Sequence, residues 1–290
     1  MFEVSSIVLL QSIVNGLVLG WIYILMALGM SLILSITNIL QFAHGEVYML
    51  GAYVAYYFCV VMGFNFYLSI LISVLSMALL GLVLERFFFR PLRAEFLPSM
   101  IVALGLMIML QSIVTVGFGI NPKAIPSFAP ESLELFGMMV GQDRLIAVGI
   151  SVALTLMLFV FLKKSRYGLA LTAAPQNREA CVLQGINPDT MSAIAMAIGS
   201  GLAAVGGALM GATLVLNTFM GSTALLKGIV IIVLGGMGSL LGVIAGGIIL
   251  GLVDGVVLVV MGPIAASIAP LLLVVVILVI RPLGLFGHEF

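Results

Sequence analysis

Seven stretches of this chain contain no Asp, Glu, Lys or Arg: residues 4–45, 47–84, 96–122, 145–162, 190–226, 228–253 and 255–280. A helix that crosses a bilayer needs about 20 apolar residues, so each stretch has room for one or two crossings. Inside lipid the backbone must satisfy its own hydrogen bonds, which leaves helix bundles or closed barrels. Runs such as LLLVVVILVI lack the alternation of a barrel strand. Charged residues make up only 8% of the 290, against about 25% in an ordinary soluble domain. The expected fold is all-α and polytopic, a bundle of about eight membrane segments, some broken or re-entrant, that fills 1–290 as one transmembrane domain.

The N-terminus has no basic run ahead of its first apolar stretch, and more membrane follows, so a cleaved signal peptide is not expected. Cys59 and Cys181 cannot make a disulfide framework and read as small apolar residues. Sidedness follows from Lys and Arg, which concentrate in short cytoplasmic loops. Arg86, Arg90 and Arg93 mark one such loop, and Lys163, Lys164, Arg166 and Arg178 mark a second. Arg281 puts the C-terminus on the same side. The stretch 119–143 holds Pro122, Pro126 and Pro130, with Glu131 and Glu134 outweighing Lys123, and reads as an extracytoplasmic loop.

Two places predict broken helices. From Leu225 to Leu234 the apolar run is about 15 Å of helix, half of a ~30 Å hydrocarbon core. Gly235, Gly236, Met237, Gly238 and Ser239 follow, and then a long apolar run. This reads as a half-helix, a break at mid-depth and a returning helix. Near the N-terminus, a helix from about residue 15 ends in TNILQFAHGE, with Asn38, Gln41, His44 and Glu46 at the break. Irregular backbone at membrane depth survives only when packed in protein or lining a polar cavity, so these residues are the candidate pathway. Gly238, Gly242 and Gly246, and again Gly247, Gly251 and Gly255, recur at four-residue spacing and make two smooth ridges for close helix packing.

Lys227 and Asp254 lie inside apolar stretches. Counted from the break, Lys227 is about 12 Å along its helix and Asp254 about 22 Å along the next, so they are not expected to pair. Asp254 is expected near the outer interface. Enzyme chemistry finds little support: HExxH, CxxC, GxSxG and GxxxxGK[ST] are all absent, and no Gly is followed by Lys anywhere, so no phosphate-cradling loop of the P-loop kind is present. No cofactor, metal or nucleic acid is expected, and any ATP hydrolysis belongs to another polypeptide.

Five blocks in order resemble one family across nearly the whole chain: NGLVLGWIYILMALGMSLIL with FAHGEVYMLGAY, ERFFFRPLR, SRYGLALTAAPQNREACVLQGIN, LKGIVIIVLGGMGSLLGVIAGG and RPLGLFG. The family is that of the permease subunits of branched-chain amino acid ABC importers, of the LivH type. The resemblance implies a heterodimer with a second permease of the same fold, two cytoplasmic ATPases, an extracytoplasmic substrate-binding protein and a multi-pass place in the bacterial inner membrane. It also implies that the segment 163–190 docks on an ATPase, through Arg166, Gly168, Ala173, Ala174, Arg178, Glu179, Gly185, Ile186 and Asn187. Pro175 is expected at the first position of the docking helix, and Gly185 at its left-handed end. Permeases for urea and short-chain amides share the pattern, so substrate stays open at this level. A stand-alone channel or secondary transporter is the other alternative, and it has no use for a structured 166–189 segment.

Overall fold

A computed structural model of the chain describes residues 6–92, 95–135, 138–176, 178–236, 238–281 and 284–286. The described residues form helices α1 (Ser6–Thr37), α2 (His44–Tyr56), α3 (Phe66–Leu84), α4 (Phe96–Phe118), α5 (Gln142–Lys164), α6 (Arg166–Ala173), α7 (Arg178–Leu183), α8 (Pro188–Thr213), α9 (Met220–Gly235), α10 (Leu240–Met261) and α11 (Pro263–Ile280). Seven helices are long and apolar enough to cross a membrane, and α9 is a shorter apolar helix. The chain is an all-α, multi-pass membrane protein. Residues 6–14 continue α1 without interruption, which makes it a helix of 32 residues. Between α2 and α3 Gly63 takes φ 72°, and Asn65 caps α3 by accepting from the Tyr67 N–H. The loop 119–143 also holds a short hairpin that apolar patterning does not reveal, β1 (Ser132–Leu135) against β2 (Met138–Gly141). Lys123 pairs by backbone with Leu216, which ties this loop to the link between α8 and α9.

Burial separates a centre from a rim. In α1 and α8, 78% of the most apolar window is buried, against 22% in α4 and 6% in α11. The rim helices turn Ile101, Ile108, Val116, Ile264 and Val279 outward. That surface matches hydrocarbon, where helix association depends on close packing rather than on escape from water.

Close packing is what the glycines provide. The two ridges of α10 face different neighbours. Gly242 and Gly246 meet Gly235 and Ile231 of α9, while Gly247, Gly251 and Gly255 meet Gly20, Gly16 and Ser12 of α1. A Cβ on Gly246 would lie 2.8 Å from the Ile231 carbonyl, and one on Gly20 2.8 Å from the Gly247 carbonyl. The α1–α8 contact repeats the device at Gly29 and Gly199.

Gly251→Leu therefore separates α10 from α1 at the cost of overpacking, about 3 kcal/mol. Melting of the detergent-solubilised protein should fall by about 10 °C. Gly105→Ala on α4, where an added Cβ meets nothing within 4 Å, should leave it unchanged. Equal melting of the two variants would refute this packing.

Candidate functional site

The break after α1 is built by local caps. Asn38 takes φ 54°, a left-handed conformation that asparagine tolerates, and its N–H donates to the Leu34 carbonyl at 2.9 Å. The Thr37 hydroxyl donates to the Ile33 carbonyl and accepts from the Ile39 N–H. The chain then runs to His44, where α2 starts. His44 Nε2 donates to the Met26 carbonyl at 3.2 Å.

The predicted pathway residues divide into two sets. Asn38 and Gly238 line one cleft of about 560 Å³, together with Ser35, Leu171, Thr172 and Gln176. This cleft brings both breaks and the segment after α5 to one place. Gly235 and Gly236 are buried, and Ser239 caps α10 by accepting from the Gly242 N–H at 3.1 Å. Met237 lies outside the described residues. Gln41, His44 and Glu46 are instead wholly enclosed. Both Gln41 side-chain atoms, His44 Nδ1 and both Glu46 carboxylate oxygens are buried without a hydrogen-bond partner. Glu46 faces Gly221 of α9, where a Cβ would come 2.7 Å from Oε2. Each such group costs about 1–3 kcal/mol, so a cluster of them marks a place that is not optimised for stability alone.

The expectation for Lys227 and Asp254 is overturned. Lys227 Nζ donates to Asp254 Oδ2 in an ion pair, and also to the Tyr23 hydroxyl at 2.8 Å. The error lay in measuring from the two ends of the connector. Because α9 and α10 already touch at Gly235 and Gly242, the helices overlap before the connector ends. From that contact Lys227 stands about 12 Å away and Asp254 about 18 Å, and a lysine side chain spans the difference. Asp254 is accordingly buried. A charge left alone at bilayer depth costs about 3 kcal/mol on insertion scales, which pairing relieves.

The segment 163–190 forms two short helices rather than one. Ser165 caps α6 by accepting from the Gly168 N–H at 2.8 Å. Gly168 packs so tightly on Phe161 and Leu162 at the α5–α6 elbow that no Cβ fits there. Pro175 lies in the turn between α6 and α7, not at the start of a helix, because α6 has already begun at the Ser165 cap. Gly185, at φ 77°, ends α7. Its N–H donates to Val182 and that of Ile186 to Cys181, the paired pattern of a Schellman stop. Asn187 caps α8 by accepting from the Asp189 N–H. Ala173 and Ala174 are half-buried, and Arg166 is exposed. The side chains of Arg178 and Glu179 lie outside what is described. Sequence reasoning missed the exposed apolar residues here: Tyr167, Leu169, Val182 and Leu183 stand out from α6 and α7, Leu183 at 89% exposure.

Comparison with known proteins gives a consistent picture. A family described as branched-chain amino acid transport system / permease component matches residues 12–281. The chain is 31% identical to the high-affinity branched-chain amino acid transport system permease protein BraD of Pseudomonas aeruginosa, over 96% of each chain. It is 30% identical to the LivH permease proteins of Salmonella typhimurium and of Escherichia coli K12, again over 96% of each.

The cleft and the enclosed cluster predict opposite reactivities. In a background without Cys59 and Cys181, Ser35→Cys and Thr172→Cys should react readily with a small charged thiol reagent, and Glu46→Cys should not. Labelling followed by mass measurement of the intact protein decides this; rapid reaction at position 46 with none at 172 would reverse the assignment.

Proposed function

The chain belongs to the family of permease components of branched-chain amino acid transport systems, and on that footing we propose that it forms half of the translocation pathway of an ATP-driven importer of branched-chain amino acids. The other half is a second permease of the same fold. Two cytoplasmic ATPases drive the cycle, and an extracytoplasmic binding protein delivers the substrate. The chain lies in the bacterial inner membrane among its lipids, with the basic loops and the C-terminus in the cytoplasm. The observation that carries the reading is the pair α6–α7: short helices outside the apolar spans that expose Tyr167, Leu169, Val182 and Leu183. A solvated connector has no use for such a surface, whereas a docking element needs one. Lys163, Lys164 and Arg166 stand at its start.

In this reading the ATPase pushes on α6–α7, and the rigid Gly168 elbow passes the movement to α5 and to the cleft at Asn38 and Gly238. The pathway follows the breaks, through Asn38, Gln41, His44 and Glu46 and through 235–239. The ATP-hydrolysing machinery sits on the partners, since the chain carries no phosphate-cradling loop.

Gly168→Val and Gly185→Val test the coupling. The second costs about 1 kcal/mol or more of local strain. In reconstituted transporter, both should lower leucine uptake while membrane insertion stays normal, and Arg178→Glu should weaken ATPase co-purification more at low salt than at high. Uptake at wild-type rates in all three variants, with the ATPases still bound, would return the chain to the solitary-carrier class. Urea uptake in place of leucine uptake would move it to the amide importers.

Affinity within the membrane should be low, because tight binding would slow release. The permease without its binding protein should bind leucine at about 1 mM or more weakly. Micromolar binding by calorimetry would contradict this.

A further inference from the structure

Lys227, Asp254 and Tyr23 come from α9, α10 and α1 and meet inside the bundle. The Lys227 ammonium also lies 4.6 Å from the centre of the Tyr23 ring. Two features set this group apart from a static clasp. The three helices are already held in register by the glycine contacts at Gly242, Gly246, Gly247, Gly251 and Gly255, so their packing does not require an ion pair. The pair is also incompletely satisfied: Asp254 Oδ1 is buried without a hydrogen-bond partner, while the Lys227 side chain keeps 20% of its surface exposed.

We propose that Lys227 and Asp254 form an intramembrane subsite for a zwitterionic amino acid, which opens the pair and takes its place: the substrate carboxylate on Lys227 and its ammonium on Asp254. The inference rests on the amino acid import reading above and gives it a recognition chemistry. Intramembrane charges default to functional roles, and this exchange leaves no charge unbalanced in a low-dielectric site. A lone anion or cation could not do the same, nor could a neutral amide. Tyr23 keeps the ammonium of Lys227 oriented while Asp254 is released. Because the internal pair must open first, net binding is weak, as a pathway requires.

The test uses the complete transporter. In proteoliposomes, Lys227→Met/Asp254→Leu removes the pair without stranding a charge. It should reduce leucine uptake by about tenfold or more, the loss expected of charge-assisted hydrogen bonds, while the second permease, the ATPases and the binding protein still co-purify. On the wild-type complex without binding protein, saturation-transfer NMR should detect L-leucine but neither leucinamide, which lacks the carboxylate, nor 4-methylpentanoate, which lacks the ammonium. Uptake within about twofold of wild type in the double variant overturns the subsite. So does equal saturation transfer to leucine and leucinamide, which decides the matter if the double variant fails to assemble. A wild-type complex that takes up no leucine overturns the import reading itself, and the subsite with it.

Discussion

Backbone-to-backbone contact between helices is the constraint on which the rest of this structure depends. Apolar side chains gain little by leaving lipid for one another, so the bundle must be held by shape. Helix α10 is wedged between α1 and α9 by two glycine ridges that share one helix but face different neighbours. Because these contacts use main chain, they set register closely. Lys227 reaches Asp254 because Gly235 abuts Gly242, and Leu285 and Phe286 find the last carbonyls of α9 because the same hairpin brings α11 back beside it. One packing mode thus places the ion pair, the second break and the end of the chain.

Against this well-packed frame the polar groups fall into two kinds. Those at helix ends are satisfied locally, as at Thr37, Asn65, Ser165, Asn187 and Ser239. Inside the bundle some are paired, as Ser73 is with the Gly51 carbonyl, but Gln41, His44 Nδ1, Glu46 and Asp254 Oδ1 keep unpaired atoms in the interior. They cluster where α1 gives way to α2 and where α9 and α10 run beside α1, while the rim helices α4 and α11 carry no charged residue. Stability alone would have replaced such groups. Gln41, His44 and Glu46 lie next to the break after α1, which supports the pathway proposed above, since polarity at membrane depth is tolerated where it lines a cavity or is packed in protein.

In the proposed coupling the α5–α6 elbow is the mechanical counterpart. Gly168 lets α6 lie directly against the last turn of α5, and the buried Leu171 anchors it. Movement applied to α6 has little slack to absorb it before reaching the cleft that Leu171 and Thr172 share with Asn38 and Gly238.

Much of this was written in the residues themselves. Charge-free stretches define the spans because lipid forbids unpaired charge, and Asn38, Gly236 and Gly238 mark the breaks because left-handed backbone favours Asn and Gly; Gly185 and Asn65 do what their residue types predict. What only the tertiary structure decided are relations between elements far apart in sequence: that Lys227 reaches Asp254, that the two ridges of α10 have different partners, and that Glu46 looks onto Gly221. Helical periodicity gives a residue's angle and height on its own helix. The offset and crossing of two helices depend on where their backbones touch, and no single segment carries that information.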